Sequence, residues 1–187
     1  SQEVFFMSIQ KMTGVAVFAA LVAVFSQMSL LIGPVPHTMQ IFAVTLAGVV
    51  LGPKRGALSI VVWELLGAFG LPVFAMAHGG LTSLLGPLVG FFIGFIIHAY
   101  VCGLTNNMRL IPAILCNILS LAVVYFLGVT GFWAEYNFLL GKAIPVSKAF
   151  AACAAPFIVF DIIKLVLAVT AGRRAVRILK KAGINLY

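Results

Sequence analysis

Acidic side chains are nearly missing from this sequence: four Asp and Glu stand against twelve Lys and Arg, and charged residues of either sign make up only 9% of its 187 residues. No two acids share a motif, so paired-carboxylate hydrolysis has no candidate here. The sequence also lacks a G-x-x-x-x-G-K-[ST] loop, an H-E-x-x-H helix and a G-x-S-x-G turn. Gly141-Lys142-Ala143 is only a fragment of the first. An enzyme is not expected, and energy for any transport must come from a gradient or another subunit. Cysteine is scarce: Cys102, Cys116 and Cys153 each fall in an apolar run, with no zinc or redox spacing. They are expected as small core residues. No metal site and no cofactor are expected.

What fills the chain is apolar. Hydrophobic residues make up 63% and mean hydropathy is +1.19, against about 45–50% apolar in soluble domains, so lipid is the expected solvent. A spanning helix needs about 20 apolar residues, and the runs at 12–32, 84–103, 110–131 and 149–172 reach that length. Two shorter runs, 38–51 and 57–70, are parted by Gly52-Pro53-Lys54-Arg55-Gly56, a Pro/Gly/basic turn. The expectation is an all-α integral membrane bundle of six transmembrane helices, forming one domain, with five as the competing count. Strands of a membrane barrel would alternate apolar and polar residues, and these runs do not. Met12–Ile32 is read as a permanent helix rather than a cleavable leader.

The net charge of +8 is not spread as a nucleic-acid surface would be. Across six spans one side receives Lys11, Lys54, Arg55, Arg109, Arg173, Arg174, Arg177, Lys180 and Lys181, and the other only Lys142 and Lys148. Positive residues mark the cytoplasmic side, so both termini are expected there. The tail from Arg173 to Lys181 reads as an anchor near anionic head groups, or as a docking surface for a partner.

The outward loops, 33–37, 71–86 and 132–145, hold the unusual residues. The middle one, with Phe74, His78, Gly79 and Gly80, is too apolar for a solvated loop and too rich in Gly and Pro for a helix. Irregular backbone at membrane depth belongs where it is buried in protein or lines a cavity. Asp161 and Lys164 fall near the middle of the last span, on one face by i, i+3 spacing. Ionisable groups there are costly and mark a ligand site or a helix lock. Glu64 is the other acid at depth, able to hold a proton or cation or to pair with Lys164 or a histidine. In the first helix, Ala16/Ala20 and Ala19/Ala23 are overlapping small-xxx-small pairs, suited to packing within the chain or to a partner helix.

Five segments then form an ordered set: Pro34-Val35-Pro36-His37-Thr38-Met39-Gln40; Ala47-Gly48-Val49-Val50-Leu51-Gly52 with Gly56 and Ser59; Gly70-Leu71-Pro72-Val73-Phe74-Ala75; Gly79-Gly80 through Leu85-Gly86-Pro87; and Asp161-x-x-Lys164. In these the chain resembles the BioY family, the biotin-specific subunits of energy-coupling factor transporters, over nearly its whole length. The resemblance implies a six-helix binding protein of the bacterial plasma membrane with its pocket open to the outside. It also implies a coupling membrane protein and two ATPases that turn the subunit over to release biotin, with Ala16, Ala20 and Ala23 at the contact. For ligand binding it implies Asp161 accepting from ureido N–H groups, Lys164 donating, apolar walls from Phe74, Trp63 and Phe91, and polar contacts from His78, Gly79, Gly80 and Gln40. The sequence departs from the family at Leu88-Val89-Gly90-Phe91, where Thr-Gly-Gly-Tyr is common, at Trp63, where Tyr is usual, and at Glu64. A biotin precursor or another vitamin is the alternative ligand. A stand-alone proton-coupled carrier using Glu64 or Asp161 is the alternative mechanism.

Overall fold

Apolar runs become helices because a backbone in hydrocarbon must satisfy its own N–H and C=O groups. The computed structural model describes residues 2–31, 35–184 and 186, with side chains from Ile9 onward apart from Leu31. In chain order the elements are α1 (Gln2–Gln27), β1 (Ser29–Leu31), β2 (Pro36–Thr38), α2 (Gln40–Leu51), α3 (Pro53–Ala68), α4 (Leu81–Leu84), α5 (Val89–Leu104), α6 (Leu110–Ala134), α7 (Val146–Cys153) and α8 (Ile158–Lys181). Single 3-10 turns lie at Ala75–Ala77 and Thr105–Asn107, and a π-helical turn at Glu135–Leu139.

Six spans are expected, two of them short; the described residues form eight α-helices of unequal length. Three are long and apolar enough to cross a bilayer, within 9–27, 89–107 and 110–139; α7 and α8, bent by 47°, make a fourth if counted together. Pro156 lies in the turn between them and has no N–H to continue the helix. With 12 and 16 residues, α2 and α3 are only about 18 and 24 Å long, so each is shorter than a bilayer core. The basic turn between them shrinks to Gly52, at φ 78°, because Pro53 takes the first helical position and Lys54-Arg55-Gly56 continue the helix. A strand pair also interrupts the all-α expectation. The first helix stops at Gln27 and α2 starts only at Gln40 because β1 and β2 pair antiparallel, Ser29 opposite Thr38 and Leu30 opposite His37. Gly33 and Pro34 of the first expected outer loop lie outside the described residues. The third is shortened, because helix runs on through Leu139.

Around the bundle, α1 packs on α3, α3 on α5 and α5 on α6, while α2 packs on α1, α5 and α8; α6 and α8 meet only thinly. Backbones touch where side chains are missing. A Cβ on Gly48 would strike the Ala99 carbonyl, one on Gly103 would strike Gly52–Pro53, and one on Gly90 would strike the Leu127 carbonyl. A buried polar cluster pins the same helices. Ser120 spends its proton on the Asn117 carbonyl (2.9 Å), so His98 Nδ1 donates to the Ser120 hydroxyl (2.6 Å) and Nε2 accepts from Thr45 (2.9 Å). Two basic residues hold backbone carbonyls at this side of the bundle: Arg173 donates to the Thr105 and Met108 carbonyls in the turn between α5 and α6, and Arg55 to the Leu186 carbonyl.

Candidate ligand-binding site

The other half of the bundle opens into a cavity of about 380 Å3, a size usual for small-molecule sites. Its walls are aromatic, with Phe74, Phe91, Phe92, Phe95, Phe132 and Phe157 facing in. Polar groups enter at few points: Thr38, Gln40, His78, Thr82, Ser83, Tyr125, Tyr136 and Asp161.

The loop from Leu71 to Leu88 builds one side. Phe74 is 3% exposed and stands edge-on to Trp63, with ring centroids 5.3 Å apart. Its ring lies against Gly67, where a Cβ would collide with it. The Gly79-Gly80 pair shapes the loop. The bare face of Gly79 abuts the Leu71 carbonyl, and the Gly80 N–H, at φ 96°, donates to the Gly67 carbonyl (2.7 Å). Met76 and Ala77 are left-handed at φ 58° and 56°, a conformation costing about 1–2 kcal/mol for each L-residue.

The polar end is made by three elements. Asp161 and Lys164 on α8 form an ion pair at 2.8 Å, with side chains 10% and 14% exposed. Lys164 also donates to the Thr38 carbonyl at 2.7 Å, tying α8 to β2. The Tyr125 hydroxyl, on α6, donates to the second oxygen of Asp161 at 2.6 Å. A hydrogen bond to a buried charge is among the strong ones, so the carboxylate is held from both sides. Its remaining lone pairs, with those of Tyr125, offer acceptors for N–H groups of a ligand.

Of the residues singled out from sequence, Asp161, His78, Phe74, Phe91 and Gln40 line the cavity. Trp63 does not: it is fully buried behind Phe74 and Phe92, donating to the Val73 carbonyl (2.9 Å). Lys164, Gly79 and Gly80 are not on the wall either; they hold residues that are. Gln40 has its amide engaged by Thr38 and Ser26. Cys153, expected in the core, reaches the cavity wall. Glu64 is buried on α3 away from the cavity, and its Oε1 has no hydrogen-bond partner among the described residues. Ala16 and Ala20 are exposed, whereas Ala19 is buried and Ala23 packs on the core, so one stripe faces out and the other in.

The residue missed from sequence is Tyr125, a lone hydroxyl in an otherwise apolar stretch of α6; that isolation was the available signal. Thr82 and Ser83, on the short α4, and Tyr136, in the π-helical turn, fall in stretches that the sequence predicts as loops. The Leu88–Phe91 departure is real in space, since Leu88 and Phe91 give the cavity apolar surface there.

The family model described as "BioY family" matches residues 1–181. The chain belongs to the BioY family. It is 41% identical over 168 residues, 90% of this chain and 97% of the relative, to the probable biotin transporter BioY of Pyrococcus horikoshii. It is 40% identical over 154 residues, 81% and 87% of the two chains, to the biotin transporter BioY of Thermotoga maritima. Its BioY fold aligns with the crystal structure at 2.1 Å of the S-component for biotin from an ECF-type ABC transporter. That match has a TM-score of 0.79 and 27% identity, covering 90% of this chain and 91% of the other.

Proposed function

We propose that this BioY protein is the biotin-capturing membrane subunit of an energy-coupling factor uptake transporter. The observation that carries the reading is the doubly held Asp161 at the polar end of an aromatic cavity. Biotin presents ureido N–H donors, a carbonyl, an apolar thioether ring and an apolar chain. N–H donors suit Asp161 and Tyr125, and the ring and chain suit the phenylalanines. Lys164 holds one carboxylate oxygen in place, with its ammonium already spent on Asp161 and Thr38. The acid tail of the ligand is left for the hydroxyls of Thr82, Ser83 and Tyr136 and for His78. The apolar Leu88–Phe91 wall removes two family hydroxyls, and these side chains supply polar contact from elsewhere on the wall.

In the membrane the chain makes six passes, by α1, α2, α3, α5, α6 and the bent α7–α8 pair, with both termini cytoplasmic. The short α2 is buried along most of its length, which suits it to a protein-lined interior, whereas α3 turns Leu58, Leu65 and Leu66 outward. Release is driven by a coupling membrane subunit and two ATPases, with Ala16 and Ala20 as the exposed small face for the first of these and Ala23 at its edge. The cytoplasmic membrane is the expected location.

The test is direct titration of biotin into the purified protein, with dethiobiotin, thiamine and riboflavin as competitors. Saturable binding displaced by dethiobiotin but not by the other two supports the reading. Absence of biotin binding refutes it.

A further inference from the structure

The loop that walls the cavity with Phe74, Ala75, Met76 and His78 contains two consecutive left-handed residues that are not glycine, Met76 and Ala77. Such a conformation persists only where the surroundings over-determine it. The holding group is the last residue of α1. Gln27 Nε2 donates to the carbonyls of Pro72 (3.2 Å) and Phe74 (2.9 Å), and its Oε1 accepts the Ala77 N–H (3.0 Å). Two carbonyls demand the nitrogen and one N–H demands the oxygen, so the amide fits one way round only. Two of its three bonds fall just before the left-handed pair, and the third is made to the second member of the pair itself. Ser29, just past the helix end, adds a contact to the Met76 sulfur (3.4 Å).

The same helix carries the exposed Ala16 and Ala20. These lie eleven and seven residues before Gln27, or about 16 and 10 Å along the axis. A helix is stiff over that length, so its end cannot shift without carrying Gln27 along.

We propose that Gln27 is a positioning residue that fixes the Pro72–His78 wall of the cavity and ties it mechanically to α1. Its effect on biotin rests on the function proposed above; its effect on the loop does not. The test uses the full-length protein in detergent, as wild type, Gln27→Ala and Gln27→Glu. Gln27→Met keeps the side-chain volume should Gln27→Ala be unstable. Glu retains the acceptor for Ala77 but turns oxygen towards two carbonyls.

Amide hydrogen exchange across residues 71–80 is expected to quicken at least about tenfold in Gln27→Ala and Gln27→Met, which lose three hydrogen bonds, and also in Gln27→Glu, which loses two, with α5 and α6 unchanged. Biotin dissociation is expected to quicken at least about fivefold, with association within about twofold of wild type, because the wall then holds the bound ligand less firmly. A general loss of packing would instead raise exchange throughout the bundle. Unchanged exchange across 71–80 in a folded variant overturns the clamp. Faster exchange with unchanged biotin dissociation overturns its role at the cavity. Failure of the wild type to bind biotin refutes the function reading, and the exchange data still decide the clamp.

Discussion

Replacing Tyr125 by phenylalanine deletes one hydroxyl and keeps the ring that fills the wall. The hydroxyl is 2.6 Å from an oxygen of Asp161, whose side chain is 10% exposed, so water cannot freely take its place. Hydrogen bonds to charged groups contribute about 1.5–3 kcal/mol, and the protein is expected to lose stability in that range. Part of the loss falls on the free protein and part on the complex. Biotin affinity should therefore drop about tenfold, or about 1.4 kcal/mol, near the lower end. Lys164 still grips the other oxygen at 2.8 Å, so the site is loosened rather than dissolved. Asp161→Asn gives the partner measurement. An amide in that place can accept from Lys164 and turn its NH2 to Tyr125, and Tyr125→Phe then costs little more. A double-mutant cycle by titration calorimetry should give a coupling of at least about 1 kcal/mol. Wild-type affinity in Tyr125→Phe, or strictly additive losses in the double variant, would refute the idea that Tyr125 acts through Asp161.

The remaining expectations concern packing and docking. Gly67→Ala would put a methyl group into the Phe74 ring, which is locked against Trp63 and Phe92. Overpacking of this kind costs about 1–3 kcal/mol; biotin affinity should fall along with the thermal midpoint, and no change in either would contradict the contact. Replacing both Ala16 and Ala20 by leucine should leave biotin binding by the isolated subunit within about twofold, since neither touches the cavity, while assembly with the coupling subunit and uptake by whole cells are lost. Normal uptake by that variant would remove α1 from the docking face.

Much of the fold was legible because its causes are local. The apolar runs located every helix longer than eight residues, and Gly52-Pro53 marks a real break, whereas the runs at 84–103 and 149–172 pass through Gly86-Pro87 and Pro156, where the helices break. The i, i+3 spacing brought Asp161 and Lys164 together as expected. What escaped depends on distance along the chain. Lys164 bonds a backbone carbonyl 126 residues away, and a carbonyl leaves no mark in a sequence. Tyr125 meets Asp161 across 36 residues. Sixteen phenylalanines look alike until the bundle sorts those facing the cavity from those facing lipid. Trp63 was read as wall because its composition suits one, but its indole N–H needed the Val73 carbonyl and drew it behind Phe74.

The close backbone contacts at Gly48 and Gly103, with the guanidinium of Arg173 seated on two carbonyls, shut the end of the bundle away from the cavity. The two glycine contacts are main chain against main chain, so no turning of a side chain can undo them. The molecule is therefore a vessel with one mouth and not a conduit. On the function proposed above, its contents leave by parting packed helices or by turning the mouth towards the other side, and that work falls to the coupling subunit and its ATPases.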